Sequence, residues 1–186
     1  GQRFIINSAI ASMGYDLPAA IGACVADGAK ELVCLTGDGS IQMNLQELQT
    51  IKTNKLPIKI FIINNQGYHS IRQTQTNFFG EPLVGIGPES HDLEFPSMEK
   101  LAYAYDYPYF SCDSNESLEE TVHKALEMKG SCICEVFVTT EQKFEPKSAT
   151  KRLEDGTLVS PPLEDLAPFL PREEFLSNML IKPIEE

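Results

Sequence analysis

Gly37-Asp38-Gly39-Ser40 closes one apolar stretch of the chain, Asn64-Asn65 closes the next, and 24 residues separate Gly39 from Asn64. An aspartate carboxylate and an asparagine amide oxygen are hard donors of the kind Mg²⁺ takes, with phosphate oxygens completing its octahedron. The glycines beside Asp38 let backbone approach phosphates closely. Residue types and spacing therefore point to a site for a magnesium-bound diphosphate. Asp, Asn and Gly are also ordinary strand-ending turn residues, and either motif alone favours that plainer reading. The two motifs gain meaning only if the fold sets them side by side.

The elements between them predict that it does. Residues 31–36 and 58–63 are short, mostly apolar, β-branched runs, as buried parallel strands are. Ile41, Leu45 and Leu48 recur at helical spacing, with Ile51 near the same face, so the unit reads strand, helix, strand. In such a crossover both strands run the same way. Asp38 and Asn65 then share the carboxyl edge of the sheet, where open α/β sheets bind ligands.

With the flanking segments the pattern becomes specific. Gly-Asp-Gly, two dozen residues, Asn-Asn resembles the thiamine diphosphate motif. Met13-Gly14-Tyr15-Asp16-Leu17-Pro18-Ala19-Ala20-Ile21-Gly22-Ala23 resembles a segment of the acetolactate synthase and pyruvate oxidase group of thiamine diphosphate enzymes. The resemblance spans roughly residues 8–140 and implies that family's C-terminal cofactor-binding domain: α/β, three-layer, a mostly parallel sheet with helices on both faces. It implies Mg²⁺ held by Asp38, the Asn65 side chain and the Gly67 carbonyl. The diphosphate would lie against Gly37, Gly39 and Ser40, using the Ser40 side chain and the amides of Gly39 and Ser40 at a helix start. Asn65 and Tyr68 complete the expected cofactor contacts. The Ala11 carbonyl and Met13 would meet the aminopyrimidine, with Met13 supporting the bent cofactor.

Composition sets the frame. A chain of 186 residues, 42% hydrophobic, buries one sizeable core, read as a cofactor-binding domain over 1–140 followed by an extended, proline-rich tail over 141–186. Further helices are expected over 17–28, 67–77, 98–105 and 117–128, strands over 107–112 and 131–138, and a short helix near Phe175. Formal charge is −12, carried by residues 81–186, with nine basic against 22 acidic side chains. That balance excludes nucleic acid. No apolar run reaches membrane-spanning length, and five cysteines without a Cys-x-x-Cys pair read as buried thiols, so a cytoplasmic protein is expected.

His69, Arg72 and Gln73 follow the second motif and would face the cleft mouth. His69 reads as a surface histidine in preference to a substrate contact, and Arg72 as a solvated charge or a partner for a substrate carboxylate. Thr74 stands where acetolactate synthases carry a tryptophan, which leaves the product open. The resemblance further implies a catalytic glutamate on a pyrimidine-binding domain absent here, supplied by the same longer polypeptide or a partner chain in a homodimer or homotetramer. The function expected is the cofactor half of a 2-oxo acid decarboxylase or carboligase, the isolated chain being inactive. A non-catalytic regulatory module keeping the fold is the alternative. A flavin or nicotinamide domain lacks its Gly-x-Gly-x-x-Gly signature.

Overall fold

The computed structural model describes residues 2–8 and 10–183. In chain order the first unit comprises α1 (Asp16–Ala26), β1 (Leu32–Gly37), a 3-10 turn (Ile41–Asn44), α2 (Glu47–Thr53), β2 (Ile58–Asn64) and α3 (His69–Phe78). A second 3-10 turn (Pro88–Ser90), α4 (Met98–Ala104), β3 (Tyr109–Cys112), α5 (Asn115–Glu127) and β4 (Cys132–Phe137) complete it. The four strands form one parallel sheet in the order β1-β2-β4-β3.

The period-two geometry of β2 sorts the core into layers. Ile58, Ile60 and Ile62 pack on one face with Leu17, Ala20 and Cys24 of α1, Leu48 and Ile51 of α2, and Met98 and Ala102 of α4. Phe61 points to the other face and packs with Cys132, Cys134 and Ala125 of α5. This is the expected three-layer arrangement, with both central strands apolar because both sides are covered. Ser97 and Ser114 cap α4 and α5 by accepting from the Lys100 and Ser117 N–H groups.

The crossover differs from the single helix that Ile41, Leu45, Leu48 and Ile51 predict. Its first turn is tightened to 3-10 form and only Glu47–Thr53 is α-helical. Gln42 Nε2 donates to the Asp38 carbonyl at 3.1 Å, and Asn44 Nδ2 to the Gly14 carbonyl at 2.6 Å. These side-chain bonds tie the turn to two loops and compete with regular helix.

Residues 142–186 form a second compact unit. The proline-rich composition predicts extended chain; within it β5 (Lys151–Arg152) pairs antiparallel with β6 (Leu158–Val159), and α6 (Arg172–Asn178) adds a short helix. Arg172 grips the buried Asp165 carboxylate at 2.7 and 2.8 Å and lies over the Phe175 ring. All five cysteines are free and buried. Among the described residues, no helix is long and apolar enough to cross a membrane.

Candidate functional site

Asp38 leaves β1 at the carboxyl edge and is 2% exposed. One carboxylate oxygen accepts from its neighbour Gly39 N–H at 3.0 Å; the other accepts from Gly67 N–H, 29 residues away, at 2.8 Å. The two motifs are thus clasped together by a carboxylate. Each oxygen keeps a lone-pair direction for a cation. Burial pushes the Asp38 carboxyl up, the Gly67 and Gly39 N–H groups pull it partly back, and the charge of Glu135 adds to the rise. A cation at this point would favour the ionised form that burial penalises.

After β2 the chain turns sharply. Gln66 adopts φ +59° and Gly67 φ +127°, and a Cβ on Gly67 would meet the Ile86 carbonyl oxygen at 1.9 Å, so only glycine fits. Tyr68 (φ −83°, ψ 75°) forms an inverse γ-turn, its N–H bonded to the Ile86 carbonyl and the His69 N–H to the Gly67 carbonyl at 3.0 Å. The half-buried Asn65 carboxamide takes no part in the surrounding hydrogen bonds among the described residues. Carboxylate, carboxamide and carbonyl oxygens are the donor set that fits Mg²⁺.

Gly39 is glycine for a reason the sequence did not show: a Cβ there would meet Tyr68 ring carbons at 2.5 and 2.7 Å. The Tyr68 ring lies against this loop and edge-on to Phe95. Ser40 is equally engaged. Its hydroxyl donates to Asp16 Oδ2 at 2.5 Å and accepts from the Gly14 N–H at 2.9 Å, while Thr36 donates to the same Asp16 oxygen at 2.6 Å. This network joins the Met13–Gly14 turn to the Gly-Asp-Gly-Ser loop. Gly37 lies at the end of β1 with open space where a Cβ would sit. Ala11 (φ +52°) and Met13 remain exposed.

Two expectations for α3 are corrected. His69 and Arg72 are both 6% exposed and face inward, because the loop containing Ile86, Gly87 and Glu89 folds over the start of the helix. Arg72 is spent on protein groups and neither solvated nor free for a substrate carboxylate. Gln73 Oε1 is buried without a partner among the described residues, and Thr74 is exposed, bonded to the Ser70 carbonyl.

Sequence reasoning missed Asp16 and Glu135. Glu135 is 3% exposed and accepts from Asn64 Nδ2 at 2.7 Å and from the Tyr109 hydroxyl. Burial, with the Glu135 carboxylate adding to it, pushes the Tyr109 phenol up. A cavity of about 330 Å³ opens here, lined by Asp38, Asn64, Gln66, Phe95, Tyr109 and Glu135 among others. The signal was a lone acid within Cys132–Phe137: a charge in a buried strand demands partners.

A parallel sheet whose carboxyl edge joins a buried carboxylate, a glycine-fitted turn and a carboxamide defines an α/β domain built to hold a ligand at that edge. Residues 1–136 match the family described as thiamine pyrophosphate enzyme, C-terminal TPP binding domain, and the chain belongs to that family. It is 37% identical over 151 residues to the acetolactate synthase large subunit of Porphyra purpurea, covering 80% of this chain and 25% of that protein. Against the large subunit of Cyanidium caldarium the identity is 34% over 147 residues, 79% of this chain and 25% of the relative. Chloroplastic acetolactate synthase 2 of Nicotiana tabacum is 33% identical over 148 residues, 78% of this chain and 22% of the relative. The chain thus spans about a quarter of the length of the curated relatives it matches.

Proposed function

We propose that this chain is the cofactor-binding domain of a thiamine diphosphate-dependent 2-oxo acid decarboxylase or carboligase of the acetolactate synthase type, holding Mg²⁺ and the cofactor diphosphate at the carboxyl edge of its sheet. The observation that carries the proposal is the Asp38 carboxylate, buried and bridging to the Gly67 N–H. Asp38, the Asn65 carboxamide and the Gly67 carbonyl are the cation ligands. Gly37, Gly39 and Ser40 line the diphosphate, Tyr68 covers it, and Ala11 and Met13 serve the pyrimidine side. When bound, thiamine diphosphate supplies the electron sink that decarboxylation of a 2-oxo acid requires.

The chain's own part is binding and orientation. Asp38 offers charge to the cation from a site where little water competes, and the γ-turn at Tyr68 aims the Gly67 carbonyl. We assign residues 1–140 to this task and 141–186 to a separate tail. A pyrimidine-binding domain, from the same longer polypeptide or a partner chain in a homodimer or homotetramer, provides the catalytic glutamate. A reducing, cytoplasmic compartment belongs to the same proposal, supported by five free cysteines.

The test is thermal unfolding of the whole protein with Mg²⁺ and thiamine diphosphate. At hundredfold excess over Kd the expected rise in Tm is roughly 5–10 °C, and Asp38→Ala abolishes it. No rise at saturating ligand overturns the proposal and favours a non-catalytic module.

A further inference from the structure

Arg72 lies in the first turn of α3, yet its guanidinium turns back onto the loop before its own helix. Nη1 donates to the Asn65 carbonyl at 3.2 Å and Nη2 to the Gln66 carbonyl at 2.8 Å. Nε donates to Glu89 at 2.8 Å, and Nη1 lies 3.0 Å from His69 Nδ1, which accepts because a guanidinium only donates. Four of its five N–H groups are therefore engaged. A substrate carboxylate would need two parallel donors, which this arginine no longer has.

The gripped loop carries backbone strain. Gln66 sits at φ +59°, a left-handed conformation that a side-chain-bearing residue adopts only under strain. Gly87 also presses so closely that a Cβ there would meet the Gln66 carbonyl at 2.4 Å. Glu89 of that same segment anchors the guanidinium. Loop, helix and covering segment thus lock one another.

We propose that Arg72 is a positioning residue for the cation site: its fork holds Asn65-Gln66-Gly67 in the left-handed turn that presents the Asn65 carboxamide and the Gly67 carbonyl beside Asp38. This rests on the reading that these three residues bind Mg²⁺. Without the fork, Gln66 relaxes toward ordinary backbone angles and two of the three ligands disperse, although the sheet and its core are untouched. Lysine is a poorer replacement, since an ammonium lacks the planar five-donor fork that holds the Asn65 and Gln66 carbonyls, His69 and Glu89 together.

Mn²⁺, whose free aqueous ion is counted directly by electron paramagnetic resonance, is the probe, titrated into the whole protein with thiamine diphosphate present. Arg72→Met is expected to weaken Mn²⁺ binding by about 10–100-fold, the range for loss of a residue that orients metal ligands. Arg72→Lys is expected to fall between Arg72→Met and wild type. Gln66→Gly removes the left-handed penalty, so adding it to Arg72→Met should recover several-fold in affinity, a rescue that general destabilisation would not give. Should Arg72→Met fail to fold, Arg72→Lys alone and with Gln66→Gly carries the same comparison. Mn²⁺ binding within twofold of wild type in the arginine variants, or no recovery with Gln66→Gly, overturns the clamp while leaving the site. A wild-type protein that takes up no more Mn²⁺ than Asp38→Ala overturns the site itself, and the clamp with it.

Discussion

A serine hydroxyl has one proton to give, and at Ser40 it goes to Asp16. Its oxygen also accepts from Gly14, which leaves lone-pair density facing any incoming phosphate. The side chain is thus a bolt between two loops, and an anion here would depend on backbone N–H groups. Ser40→Ala is accordingly expected to change thiamine diphosphate affinity by less than about threefold, because the hydroxyl proton is committed to Asp16 and not to the ligand. Isothermal titration of the whole protein measures it; a loss beyond tenfold would mean the hydroxyl swings from Asp16 to the phosphate. Asp16→Ala should instead lower Tm, since the hydroxyls of Thr36 and Ser40 both lose their acceptor.

Among the elements, β2 bears most of the architecture and carries an unusual passenger. Lys59 is fully buried in it, donating to the Met128 carbonyl and to the Gly130 carbonyl at 2.8 Å, and pairing with Glu31 at 3.3 Å. A cation placed on these two carbonyls, just past the C-terminus of α5, satisfies acceptors of the turn that follows the helix and complements the helix dipole. Lys59→Met would leave both carbonyls without that donor, at a cost of about 2–3 kcal/mol. The expected readout is a lower urea midpoint with an unchanged slope; an unchanged midpoint would show that water replaces the ammonium. The strands themselves were legible because a buried parallel strand writes its apolar run locally, and Asp38 and Asn65 were legible because crossovers put both strand ends on one edge. Burial of His69 and Arg72 was not. It depends on Ile86, Gly87 and Glu89, whose return over α3 comes from a glycine-bearing loop with no periodicity to read. Glu135 belongs with them: its acid stood out in the strand, but its partners Asn64 and Tyr109 lie on two other strands.

At the scale of the whole molecule, acid acts in opposite directions on two buried carboxyls, one in each compact unit. In the first, Asp38 is raised by burial, so its contribution favours the folded state at low pH and is lost as pH rises through its folded value. In the second, the hydrogen bond from Arg172 holds the Asp165 carboxyl below the usual range. A carboxyl lowered on folding adds stability above its unfolded value, near pH 4, and that stability disappears as pH falls through the folded value. At neutral pH the Asp165–Arg172 pair is therefore intact, and acidification releases Arg172 and, with it, the start of α6. Hydrogen exchange, corrected for intrinsic rates, should show protection in Arg172–Asn178 falling as pH drops below about 4, while Ile58–Asn64 at the centre of the sheet stays protected. Asp165→Asn should abolish that pH dependence by weakening α6 at every pH, because an amide cannot accept both guanidinium bonds. Simultaneous loss of protection in β2 and α6 would instead mean that the chain opens as one cooperative body, with the Asp165–Arg172 pair no more than a bystander to its acid unfolding.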